Sequence, residues 1–390
     1  MKTLLLGGAV AIACFGLDLP FKVSRSSEVV AEFRLNAAVP SALTLTVDDS
    51  REQHLISTGV PHRISLGRLG AGQHRLRITP DARILDLRFE EHTEPEYAHA
   101  PVIYARDRSL SDVPLLMYCQ PLPDGSLEYT VIFSNEDGGT STRALMARWG
   151  RATDIEYLYR VWPQSGRAIV QGRNHVDSDF RGPYEERHPV LGVITTNNMV
   201  GPVPAERKGH RFALAPLVLK ELGGSREAVM DRVPETYAAM AQELEREGKL
   251  RSFGTVDGQK ISDPRNYAYI EYDATHRQSA FSVSVALRDG RVFVNDVGRP
   301  DYAISRDGAV RTTVELPPGT RETDVAHLEF RCFVPPPQSR TETFAVAGSC
   351  RLNRVLKAFF LSREYFPGES WLKMDRSVDL LTGQAMTLRR

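Results

Sequence analysis

The chain has 390 residues, 42% of them hydrophobic and 25% charged, and its 49 basic and 49 acidic side chains balance to a formal charge of zero. That length exceeds one typical core and points to two or three domains, and the composition excludes wholesale disorder and collagen-like structure. Zero net charge without a basic run excludes a dedicated nucleic-acid binder and a polybasic membrane anchor.

Met1-Lys2 and the apolar run Thr3 to Phe15 have the charge and hydrophobic region of a secretory signal, with Ala11 and Ala13 as small residues before Cys14. Residues 1–18 are therefore read as a leader, and Cys14 leaves lipoprotein processing open. The mature chain is expected to be secreted, periplasmic or on the cell surface, without a transmembrane segment. In an oxidising compartment Cys332 and Cys350, close in sequence across Pro335-Pro336-Pro337, are the expected disulfide. Cys119 lies on an apolar run with no activating base beside it, so it reads as a buried thiol.

Residues 19–90 carry short alternating runs, among them Glu28 to Phe33, Leu43 to Val47 and His74 to Ile78, separated by turn residues; they predict a small accessory β-sandwich. An acidic linker leads into a central β-sandwich over residues 95–222. Within it Leu127 to Phe133 reads as a strand entering a core, and it stops at the turn Asn135-Glu136-Asp137-Gly138-Gly139. A second strand begins at Asp154, and its period of two puts Asp154 and Glu156 on one face. Such a pair is tolerated when it is solvated, paired with arginine or bridged by a hard divalent cation. Arg148 and Arg151 are the neighbouring arginines. The loop 174–188 holds the densest set of candidate ligands: His175, Asp177, Asp179 and His188 are the residues that would complete a metal site begun by Asp137 and Asp154, or else form a solvated loop paired with arginines. At the rim, Asn197 and Asn198 either bind sugar hydroxyls or cap a loop.

An aspartate after an apolar strand, then a glycine-led turn ending in Asp154-Ile155-Glu156 at the head of a second strand, resembles necrosis-inducing-peptide-like secreted proteins and vacuolar-sorting-related proteins with a His-x-x-Asp-Trp-Glu type motif. The likeness covers residues 95–200 at most. It implies a β-sandwich in which Asp137, Asp154 and Glu156 hold a divalent metal. Arg151 stands where that motif has its histidine and Ile155 where it has tryptophan, so metal and arginine both remain open as the counter-charge, and membrane-damaging activity does not carry over.

Residues 223–250 break the β pattern: Tyr237, Met240, Ala241 and Leu244 fall at helical spacing after Pro234, and Gly248 marks a stop. From 251 to 345 strong strands return, with a hairpin turn at Arg288-Asp289-Gly290. Glu271 and Asp273 form another same-face carboxylate pair near His276, and Glu329 is a candidate acid–base partner for Glu271. The tail 346–390 is expected to pack on this domain and to contain a short helix from Val355 to Phe360. No nucleotide loop, Ser-x-x-Lys, Gly-x-Ser-x-Gly or CxxC signature is present.

These readings predict a mainly-β, multidomain chain of antiparallel β-sandwiches with one short amphipathic helix. The expected function is that of an exported protein binding a polar extracellular ligand such as a glycan, with a divalent cation (calcium, magnesium or manganese) at the acidic site. A metal-assisted polysaccharide hydrolase or lyase and a structural envelope protein are the alternatives, so the sequence leaves open whether the chain is an enzyme.

Overall fold

The computed structural model of the chain describes residues 17–35, 41–50, 52–56, 58–80, 82–136, 138, 140–203, 209–255, 259–335 and 347–389. The stretch read as a leader therefore lies outside the described residues except for Leu17 and Asp18, which open a strand. Strands make up about 49% of the chain and helices about 12%, which places it in the mainly-β class as expected.

Two sheets face each other in the N-terminal part. One orders Leu17–Val23, Gly72–Thr79, Ala42–Val47 and Glu52–Ile56; the other sets Ser27–Leu35 between His62–Leu69 and Ile84–His92. The alternation in Gly72–Thr79 explains its place, since Leu76 and Ile78 are buried while Arg75 and Arg77 face out. Ile84–His92 runs on into the residues read as an acidic linker.

The central part has a six-stranded sheet in which Leu127–Phe133 lies between Pro114–Pro121 and Asp154–Trp162. A second sheet pairs His188–Val193 in parallel with Val102–Tyr104. Between its two key strands the chain forms a helix, Thr142–Trp149, that the pattern of the sequence did not reveal. Ala144, Leu145, Met146 and Ala147 are all buried, so the helix shows no polar face to give a 3.6-residue period. Ser141 caps it by accepting from the Ala144 amide at 3.3 Å, and Gly150 ends it with φ at +63°.

The expected helix is split in two, Ala228–Arg232 and Glu235–Arg246, because Pro234 cannot continue the first but suits the start of the second. Both pack into one continuous apolar core with the N-terminal and central sheets. A separate core fills the C-terminal sandwich, built from the orders Gly308–Glu315, Tyr267–Arg277, Ser349–Phe359, Leu372–Met374 and Val292–Val294, Ala280–Leu287, Val325–Phe333, Ala385–Arg389.

Two expectations about the tail are corrected here. Ser349–Phe359 is an eleven-residue strand hydrogen-bonded to Tyr267–Arg277, so no helix covers Val355 to Phe360, and the tail is built into both sheets instead of packing on them. The register against Tyr267–Arg277 shifts twice, at Glu271/Tyr272 and Asp273/Ala274. Each irregularity widens the spacing of inward residues, so Leu352, Val355 and Ala358 recur every three positions and imitate a helix. The bridge expected between Cys332 and Cys350 is present, with Cα atoms 5.7 Å apart, and Cys119 is a buried free thiol.

Candidate functional site

Asp154 pairs with Phe133, the last residue of its neighbour strand, and so sits at the sheet end beside Ser134, Asn135 and Glu136. Asp154 and Glu156 share a face, are both buried and share a hydrogen bond. Asp154 Oδ2 also accepts from the Asn198 amide at 3.1 Å, and the same nitrogen donates to the Asn135 carbonyl at 3.1 Å. Asn198 thereby ties the 195–199 loop to the turn. Gly138 tightens the same junction, since a β-carbon there would fall 2.2 Å from Thr196 Oγ1.

Arg151 supplies the internal counter-charge. Gly150 makes this possible: its positive φ turns the chain out of the helix, and a β-carbon on it would come within 3.0 Å of Arg311 Cγ. The Arg151 guanidinium then lies 3.9 Å from Asp154 Oδ1, donates from Nε to Glu227 Oε1 at 3.1 Å and bonds the Thr153 carbonyl. The sulfurs of Met230 and Met240 receive the Thr153 hydroxyl and the Ala152 amide, so the two helices close over this segment.

The acids respond to this setting. Burial first, and the Asp154 charge second, push Glu156 up to about 9. The same two causes push Glu136 up to about 7 against the pull of Arg151 and Thr140. Burial also raises Asp154, more than Arg151 and Asn198 lower it. At neutral pH Glu156 therefore keeps its proton and donates it to Asp154. Glu156 Oε2 has no hydrogen-bond partner among the described residues. The exposed ring of His175 stands near it, with Nδ1 3.6 Å from that oxygen, too long for a hydrogen bond. Arg226 acts on Glu156 through its charge, and Glu156 acts in turn on Arg306, whose guanidinium is held below its usual pKa by partial burial and by Arg226. The buried acids thus lie within the electrostatic reach of Arg226 and Arg306.

The other candidates are not gathered there. Asp177 and Asp179 are exposed on the edge strand Asp177–Asp179, and Asp179 faces Arg181 at 3.6 Å. His188 is buried elsewhere, its Nδ1 2.8 Å from the Ala100 carbonyl and its Nε2 3.4 Å from Glu28 Oε2. Asn197 takes a hydrogen bond from Thr195 and serves the loop. Arg148 reaches across to the Asp301 carbonyl. Asp137 lies outside the described residues. Glu271 and Glu329 stand in different sheets, the first bound to Arg311 and the second to Arg331 at 2.8 Å, so they are not an acid–base pair.

The resemblance implies a divalent cation on Asp137, Asp154 and Glu156, of which Asp137 lies outside the described residues. Among the described residues no group of three or more His, Cys, Asp or Glu side chains converges to hold a metal ion. Arg151 lies beside Asp154, its Nη1 3.9 Å from Oδ1, and is the positive charge nearest to hand there. Glu136 belongs to the turn singled out in the sequence, next to Asp137. Glu227, Arg226 and Arg306 had no local signal, because they come from 72 or more residues beyond Asp154 and only the fold brings them close. No protein-family model matches this chain, and no curated protein is significantly similar to it.

Proposed function

We propose that this chain is an exported protein that binds a polar extracellular ligand of the glycan class, and that it meets the ligand at the mouth over Glu156. The observation that carries this reading is the unpartnered Glu156 Oε2 beneath His175, with Arg226 and Arg306 around it. With its proton given to Asp154, the Glu156 carboxyl accepts a ligand hydroxyl through Oε2, and Arg226 and Arg306 supply donors. The Cys332–Cys350 bridge suits an oxidising compartment.

A glycan panel probed with the purified chain, with and without chelator, tests this. Binding that survives chelator and falls about tenfold or more in Glu156→Gln or His175→Ala supports it. A panel without any binder, or variants that bind like the wild type, would rule it out.

The raised Glu156 favours one second reading, a polysaccharide hydrolase in which Glu156 is the general acid, because such a group must keep its proton near neutral pH. Canonical glycosidase carboxyls stand about 5–9.5 Å apart across the scissile bond. Asp154 and Glu156 share a hydrogen bond instead, which favours binding over hydrolysis. Release of reducing ends by the wild type, lost in Glu156→Gln while binding persists, would reverse that order.

A further inference from the structure

A cavity lies away from Glu156, where the N-terminal sandwich meets the central one. The two parts are joined there backbone to backbone, the Ser65 amide donating to the Ala213 carbonyl and the Ala215 amide to the Arg63 carbonyl, both at 2.9 Å. Beside this seam is a cleft of about 360 Å³, within the range of roughly 300–1,000 Å³ usual for small-molecule sites. Its wall combines apolar surface from Leu66 and Leu214 with the polar side chains of Gln53, His188 and Arg211.

Those three polar side chains are 4%, 4% and 6% exposed. Each keeps polar atoms without a hydrogen-bond partner among the described residues: Gln53 Oε1, His188 Nε2, and Arg211 Nε and Nη1. Bulk water does not reach these atoms either. A buried polar atom left in that state costs about 1–3 kcal/mol, so three neighbours on one cleft wall call for a common partner.

The remaining bonds of these side chains define what that partner is. Gln53 holds its amide on the Ser65 carbonyl at 2.7 Å, which leaves its oxygen as an acceptor. His188, with Nδ1–H given to the Ala100 carbonyl, leaves Nε2 as an acceptor, and Glu28 at 3.4 Å makes no hydrogen bond to it. Arg211 is already neutralised by Glu185 at 2.5 Å and leaves two donors. At the rim the exposed Arg68 and Glu186 carry opposite charges. The set thus mixes donors with acceptors and has no spare positive charge.

From this we infer that the cleft is a binding site for a small, neutral, hydroxyl-rich molecule of one or two sugar units. Its hydroxyls donate to Gln53 and His188 and accept from Arg211, and its ring carbons lie on Leu66 and Leu214. Binding turns the Gln53, His188 and Arg211 side chains toward the ligand, since their unpartnered atoms lie just behind the accessible surface of the cleft. The site shares no residue with the Glu156 mouth, so either can fail without the other.

Calorimetric titration of the full chain with glucose, galactose, mannose and their disaccharides, with glucuronate as the anionic counterpart, tests this. At least one neutral sugar should bind, and its matching acid should bind about tenfold or more weaker. Arg211→Lys, which keeps the charge facing Glu185 but removes the two donors, should weaken binding about tenfold, and Ala213→Met, which fills the cleft, should abolish it. Glu156→Gln should leave this binding unchanged. Circular dichroism establishes that each variant is folded, and if one is not, the other decides. Absence of heat with every sugar, binding that withstands the cleft variant that folds, or binding lost in Glu156→Gln would overturn the assignment.

Discussion

Burial and the Asp154 carboxylate hold the proton on Glu156 up to about pH 9, whereas an unfolded glutamate releases it near 4.5. Between those values the native state binds a proton that the unfolded chain has lost, so this group lowers stability progressively as pH rises from 4.5 through about 9. Glu156→Gln keeps the shape and removes the titration. Its stability should therefore fall less than that of the wild type between pH 5 and pH 9, by at least about 1 kcal/mol in urea unfolding at the two ends. Equal slopes would show that Glu156 ionises like a surface residue. Asp154 tests the counter-charge. With Arg151 as its buried cation, Asp154→Asn leaves a guanidinium short of one partner, and the melting temperature should drop equally with and without chelator, for a loss of about 2–4 kcal/mol. A drop seen only in the absence of chelator would restore the cation.

At the scale of elements, the site depends on how Thr142–Trp149 ends. The Met146 carbonyl accepts the Thr313 hydroxyl at 2.7 Å and the Ala147 carbonyl accepts the Thr312 hydroxyl at 2.5 Å, so the C-terminal sandwich closes the helix terminus that aims Arg151. Gly150 is fixed by both its dihedral and the Arg311 side chain behind it. Gly150→Ala should cost about 1–3 kcal/mol in chemical denaturation and weaken ligand binding at Glu156 in parallel, whereas a change at an exposed turn glycine such as Gly383 should leave binding intact. Arg311 is wholly buried; it bonds Glu271, Asp231 at 2.6 Å and the Tyr237 hydroxyl at 2.5 Å, and its paired acids hold it charged in spite of burial. This network fastens the helix pair to the sheet of the C-terminal sandwich. Removing its cation by Arg311→Met should cost about 3–5 kcal/mol, because two buried carboxylates would be left with Lys357 alone as their cation.

Across the whole molecule, the N-terminal and central sheets share one core and the C-terminal sandwich has its own, with the disulfide in the latter. Cys332 and Cys350 close a loop of 18 residues in separation, which should stabilise that sandwich by about 3 kcal/mol on loop entropy. Reduction should consequently lower the melting of the C-terminal sandwich first, and peptide mapping without reductant should join Cys332 to Cys350. Cys119 should alkylate only after unfolding, since burial pushes its thiol far above the usual range. Alkylation of Cys119 in the native chain would contradict its place in the core.

The sequence by itself determined the β class, the period-two face that unites Asp154 with Glu156, the disulfide and the helical region after Pro234. Each of these follows from short-range spacing, which the backbone converts directly into a face, a loop or a turn. The helix Thr142–Trp149 was not legible because it is buried nearly all round, and Ser349–Phe359 was misread because its irregular register imitates a helical period. The membership of the acidic cluster lay beyond spacing altogether. Asp177, Asp179 and His188 are closer in sequence to Asp154 than Glu227 or Arg306 is, yet the fold turns them away and brings in the distant pair. Only the tertiary structure could decide this, because the Coulomb and desolvation terms that select partners act through space between strand ends and helix termini that the chain connects by long detours.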